Sequence, residues 1–243
     1  GGLMYQKRDY RKLMKADDLI CFNVTEYESD LLIYARTNLK KEAKIAVAKY
    51  RKDIIDYIRR HPEFLTSLVP VNPILDAPEI IQDMCHCSKL ANVGPMAAVA
   101  GAVSKYAGKD LLRFTDEVLI ENGGDLFIKS KNDRRILIYA GSSPLSNKVA
   151  LLITGNNQEL GICTSSGTVG HSLSFGKADA AVVISKDAVL ADAAATAVGN
   201  VVKDKDHIEA GIEYAMSIPG VEGVVIIADD KMGACGDINI TRP

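Results

Sequence analysis

The chain has 243 residues, 47% hydrophobic and 25% charged, with a formal net charge of −2, which bounds it to an ordinary globular protein of one large domain or two small ones. The near-neutral balance gives no reason to expect nucleic acid as a partner, and no apolar run reaches the ~18 residues that a bilayer span needs. Five cysteines at 21, 85, 87, 163 and 235 suit reduced thiols rather than a disulfide framework. With no apolar h-region behind the start, where Met4 is read as the natural first residue, they point to the cytoplasm.

The basic run from Gln6 to Lys12 reads as a solvated strand or arm. Strands are expected over 19–25 and 31–37, around the polar turn Glu26-Tyr27-Glu28-Ser29-Asp30. Asn38 then caps a helix over 39–60. Its apolar positions Ala43, Ala46, Val47, Tyr50, Ile54, Tyr57 and Ile58 keep three-and-four spacing until Pro62 stops it. A linker with Pro70, Pro73 and Pro78 leads to a second helix over 79–91, which Asn92-Val93-Gly94-Pro95 breaks. Cys85-His86-Cys87 within it is not read as a zinc site. Helix neighbours i and i+2 point about 200° apart, and a second ligand pair is missing.

A third helix over 96–106 is rich in small residues: Ala97, Ala98, Ala100, Gly101, Ala102 and Ser104. Such a surface lets either a packed backbone or a flat ligand come close. Strands are then expected over 117–121, 126–129, 135–140, 148–154, 160–164 and 180–185, the last leading into a helix around Asp192. A helix over 205–217 and a closing hairpin, 223–228 with 234–240, complete the chain. Hairpin-length links between strands favour an α+β fold, with mixed, largely antiparallel sheets packed with helices, over a doubly wound parallel one. No tandem repeat and no charge-rich or low-complexity linker marks a domain boundary, so residues 1–243 read as a single domain.

Three segments could carry chemistry. In Ala191-Asp192-Ala193-Ala194-Ala195-Thr196-Ala197 a carboxylate and a hydroxyl stand four apart, stacked on one helix face among methyl groups. Two hard oxygens so placed suit magnesium. Alternatively Asp192 complements a helix N-terminus and Thr196 bonds back to the carbonyl of Asp192. Asn122-Gly123-Gly124-Asp125 is either a turn that wraps a nucleotide with its amides or a type I′ hairpin turn. Thr164-Ser165-Ser166-Gly167-Thr168-Val169-Gly170-His171 offers hydroxyls and amides to phosphate or ribose, or is a solvated loop. His171 is then an acid/base or phosphate donor, or an exposed histidine. P-loop, zincin, α/β-hydrolase and Rossmann signatures are absent.

In this order, the small-residue helix, the Gly-Gly-Asp turn, the Thr-Ser-Ser-Gly loop, the histidine and Ala-Asp-Ala-x-Ala-Thr resemble the ApbE superfamily, whose characterised members are FAD:protein FMN transferases with a T-fold-related architecture. Val93-Gly94-Pro95-Met96-Ala97-Ala98-Val99-Ala100-Gly101 and Glu121-Asn122-Gly123-Gly124-Asp125 are most similar to a functionally uncharacterised branch. The resemblance implies Mg2+ and FAD, as substrate or ligand, with a threonine of a protein substrate as acceptor. It assigns the metal to Asp192, Thr196 and the carbonyl of Ala97, and catalysis to His171 and Asp192. It assigns the nucleotide to Gly94, Met96, Ala98, Asn122, Gly123, Gly124, Asp125, Thr164, Ser165, Ser166, Gly167 and His171.

Two departures stand out: Ala98 occupies the place of a transferase lysine, and no Ile-Asp-Pro segment follows His171. The resulting expectation is a flavin-nucleotide protein, FMN-transferase-like or cleaving the FAD pyrophosphate. The alternatives are a nucleotide-binding module without catalysis and an auxiliary protein of anaerobic sulfur or cofactor metabolism. Exposed sheet edges make a homodimer an expectation as well.

Overall fold

The computed structural model describes residues 14–165 and 178–243. Strands β1 (Ile20–Glu26) and β2 (Ser29–Ala35) form the first hairpin, whose turn holds Tyr27 at a φ of 53°. Helix α1 (Lys40–Arg60) buries Ala43, Ala46, Val47, Ile54 and Tyr57, one stripe of the expected periodicity. The sequence reading did not anticipate the one-turn helix α2 (Glu63–Thr66), which Pro62 opens and which buries Phe64. Helix α3 (Glu79–Ala91) ends at Asn92, which takes the left-handed conformation as a cap.

The third helix differs from its expected bounds. Pro95–Ala98 forms a 3-10 turn, and the α-helix proper, α4, runs Val99–Leu111. Five short strands follow: β3 (Val118–Asn122), β4 (Asp125–Lys129), β5 (Arg134–Leu137), β6 (Ala150–Ile153) and β7 (Glu159–Ser165). Strand β8 (Ala180–Ser185) leads into α5 (Ala188–Val201), capped by the Asp187 side chain, which accepts from the Val189 amide. Helix α6 (Ile208–Ser217), β9 (Val221–Ala228), β10 (Lys231–Gly236) and β11 (Ile240–Thr241) complete the fold.

Eight strands form one sheet in the order β1-β2-β3-β4-β7-β8-β9-β10, and β11-β6-β5 form a second. Among the described residues every strand pairing is antiparallel, as expected of a largely antiparallel α+β fold. The expected last strand, 234–240, is divided between the two sheets: its first part pairs with β9, its end with β6.

Alternation along the central strands explains the layering. On β9, Val224, Ile226 and Ala228 join the core beneath the helices, while Val225 and Ile227 join a second core against the small sheet. Side chains of period two that are apolar on both faces require a layer on each. The order is helices, large sheet, small sheet. Among the described residues no helix is long and apolar enough to cross a membrane.

Two glycines bring α5 against its neighbours. A Cβ on Gly161 of β7 would stand 2.3 Å from Ala188 Cα, and one on Gly101 of α4 2.3 Å from the Ala188 carbonyl oxygen. The small residues of the third helix therefore serve close backbone packing here, and that packing positions Asp192.

Candidate functional site

Asp192 lies in the second turn of α5, 95% buried, and Thr196 follows one turn later at 97%. Neither bland reading of the pair holds. The N-cap is Asp187, five residues earlier, so Asp192 is not placed for a helix terminus. The Thr196 hydroxyl has no hydrogen-bond partner among the described residues, so it does not bond back along the helix.

The Gly101 amide donates to Asp192 Oδ2 at 2.8 Å, tying α4 to α5. The absent side chain of Gly101 makes this possible, since its Cβ would stand 2.8 Å from that of Asp192.

The sheet contributes the rest. Gly123 and Gly124 take φ values of 61° and 95°, so the Asn122–Asp125 segment is a two-residue hairpin turn between β3 and β4. Asn122 Nδ2 donates to the Ala100 carbonyl at 3.4 Å, joining the turn to α4. Asp125 pairs in register with Cys163 on β7. Ligand atoms of Asp125, Cys163 and Asp192 all lie within 4.8 Å of one another, and all three residues are buried.

The geometry follows from matched spacings. On β7 the residues facing α5 are Gly161, Cys163 and Ser165; on α5 Ala188, Asp192 and Thr196 lie on one face. Two strand residues advance about 6.7 Å and four helix residues about 6 Å. The two ladders keep pace, and Cys163 Sγ contacts the Ala188 carbonyl at 3.6 Å.

Burial raises Asp192 to about 7, against the hydrogen bonds it accepts from Gly101 and Asp125. Burial and the neighbouring Asp192 charge raise Asp125 well above the usual carboxylate range, and burial with both carboxylates raises the Cys163 thiol. Among the described residues neither carboxylate has a lysine or arginine ion pair. Asp125 Oδ1, Ser165 Oγ and Thr196 Oγ1 are buried without a partner among the described residues. Among the described residues that is an environment lacking positive charge, with oxygen atoms left over.

The other expected residues fall as follows. Gly94 precedes the 3-10 turn, and a Cβ there would stand 1.8 Å from the Ser67 carbonyl oxygen, a packing reason for glycine. Met96 and Ala97 are half-buried on that turn, while the Ala98 methyl is fully buried in the helical core. The structure joins α4 to Asp192 through Gly101, three residues beyond that turn. Thr164 is half-buried on β7. Ser166, Gly167 and His171 lie outside the described residues.

Sequence reasoning did not place Cys163 in this site. It also missed a second, half-buried cluster, where Lys105 Nζ stands 2.9 Å from Asp83 and 3.2 Å from Asp187, beside Cys87 and the Tyr106 hydroxyl. Asp83 and Cys87, four apart on one helix, were its available signal.

The class of fold is that of the flavin transferases called ApbE. The Vibrio cholerae flavin transferase ApbE superposes with a TM-score of 0.62 at 12% identity, covering 92% of this chain and 97% of that one. The apo form of the Pseudomonas stutzeri flavinyl transferase ApbE gives 0.59 at 14%, covering 92% and 95%. A family model described as "AbpE bacteria" matches residues 11–219, and the chain belongs to that family. UPF0280 proteins of Methanococcus aeolicus and Archaeoglobus fulgidus are 42% and 40% identical over 201 and 203 residues, covering 81% and 82% of this chain and 81% and 83% of their own.

Proposed function

We propose that this protein binds a flavin nucleotide with the help of a divalent cation, and that its chemistry is flavin-transferase-like: FMN transfer to a protein hydroxyl, or cleavage of the FAD pyrophosphate. One observation carries the reading. On an ApbE fold, Asp192 and Thr196 stand one turn apart with buried oxygen atoms and no cationic partner among the described residues.

Asp192 and Thr196 are the residues that would hold such a cation, with the carbonyl of Ala97, a residue half-buried on the neighbouring 3-10 turn, as the further ligand that the family resemblance implies. When bound, a divalent cation neutralises charge that develops on a pyrophosphate leaving group. The Gly101 amide holds the Asp192 carboxylate in orientation. The apolar packing around α5 excludes water and so strengthens each charge interaction at the site. The Gly123–Gly124 turn leaves open space around Gly123, where a ligand can approach backbone amides. A protein hydroxyl is the nucleophile, so no covalent residue of this chain is needed.

A second reading, nucleotide binding without turnover, is favoured by Ala98. Its methyl is buried in the core, so this turn offers no ammonium to a phosphate where transferases are expected to carry lysine.

Incubation with FAD and a divalent cation, followed by chromatography and mass spectrometry, separates the two readings. FMN, AMP or a flavinylated protein supports catalysis. Cation-dependent FAD binding without product supports the second reading, and no FAD binding refutes both.

A further inference from the structure

The oxygen atoms at this site suit magnesium, but the sulfur does not. Magnesium takes near-octahedral oxygen ligands, whereas soft thiolates select zinc-class ions. Cys163 is fully buried with its Sγ in the same cluster as a carboxylate oxygen from Asp125 and one from Asp192. Around zinc, ligands at about 2.0–2.3 Å stand roughly 3.3–3.8 Å from one another. The observed separations, all within 4.8 Å, need to contract by at most about 1–1.5 Å to reach that geometry.

A second observation points to a ligand at the same place. Among the described residues Asp125 Oδ1, Thr196 Oγ1 and Ser165 Oγ have no partner, in residues 93%, 97% and 98% buried. Orphaned buried oxygens are costly unless something satisfies them.

We propose that Asp125, Cys163 and Asp192 form a three-ligand site for a thiophilic divalent ion of the zinc or cobaltous class, with a fourth position open to a phosphate oxygen. Three protein ligands and one open position are the usual plan of a reactive zinc site. Asp125 is then a metal ligand rather than a nucleotide contact, and Thr196 lies alongside the open position. Binding displaces the protons that the thiol and carboxylates hold, as deprotonated ligands require. The inference deepens the cation-dependent reading of the same site and rests on it for the ion's role.

Cobalt tests it directly, because a thiolate bound to Co2+ gives a near-ultraviolet charge-transfer band. The metal-stripped full chain is titrated with Co2+, then with competing Zn2+ and Mg2+, as wild type, C163S, C163A and C87S. FAD binding is followed in the same samples by flavin fluorescence.

The expected result is a band in wild type and C87S, absent in both Cys163 variants. Zn2+ should outcompete Mg2+, and C163S should lower that preference at least about tenfold. If the Cys163 variants fail to fold, the wild-type band, compared with C87S, decides. Co2+ bound without the band, a band lost only in C87S, or no Co2+ binding overturns the inference. FAD binding that is supported equally by Mg2+ would then leave the functional reading standing, whereas a Cys163-dependent band without FAD binding would remove only that reading.

Discussion

Asp83, Cys87 and Asp187 are matched, one turn away along α4, by Asp125, Cys163 and Asp192. Each group is two carboxylates and a thiol, but their surroundings differ. In the first, Lys105 stands between the carboxylates and Tyr106 donates to Asp83 at 3.0 Å. Burial works against the Lys105 charge, but Asp83 and Asp187 outweigh it and raise its pKa, so the ammonium persists. In the second, the amide of Gly101 takes the corresponding place on α4, and backbone N–H groups rather than an ammonium are what α4 offers the Asp192 carboxylate. The first cluster carries its own cation and fixes the start of α5. The second keeps carboxylates at raised pKa and oxygens without partners, the condition of a place shaped for something else. Replacing the side chain at one position on each of two adjacent turns of α4 separates a structural cluster from a candidate site.

The contrast is most exposed by removing the built-in cation. K105M leaves Asp83 and Asp187 facing each other without their counter-charge in a part-buried setting, and should destabilise the fold by about 1–2 kcal/mol in urea titration. Cation binding per folded molecule should survive. G101A attacks the other turn. Its new methyl meets the Ala188 carbonyl and the Asp192 side chain, and should cost about 2 kcal/mol as well as weaken cation binding.

The pH response of cation-free protein should carry the second cluster's signature. Asp192 rises to about 7 from an ordinary 3.8, and Asp125 rises too. Between those values the folded chain holds more protons than the unfolded one. This contribution to stability is therefore fully present below about 4 and lost as pH climbs through about 7. The wild-type melting temperature should fall by roughly 5 °C more across that window than that of D125N. A parallel pair of curves would show that the carboxylates do not share the burial described. The smallest change is expected for T196V. Exchanging an unpartnered hydroxyl for a methyl should move stability by no more than about 0.5 kcal/mol, yet reduce cation affinity by calorimetry.

Local pattern made much of this molecule readable. The three-and-four stripe of α1, the stop at Pro62, the Gly123–Gly124 turn and the alternation of the strands were all legible, because each depends on residues within a few positions. The Asp192–Thr196 pair was legible for the same reason, as one turn of helix. Asp125 was read as part of a turn and as a nucleotide contact, not as a neighbour of Asp192, since Asp192 lies 67 positions later and the β4–β7 register brings Cys163 beside them. Lys105 and Asp187 meet through packing of α4 on α5, which no local spacing encodes. The division of the last strand between two sheets likewise depends on which neighbour each half meets: β9 for one, β6 for the other.

The central claim is that the centre around Asp192 holds a cation that supports flavin-nucleotide binding. Its most direct test is FAD binding to the full chain, followed by flavin fluorescence with and without a divalent cation, in wild type, D192N and K105M. Binding that needs the cation, disappears in D192N and persists in folded K105M is the expected result. FAD binding indifferent to both the cation and Asp192, or no FAD binding by wild type, would contradict it.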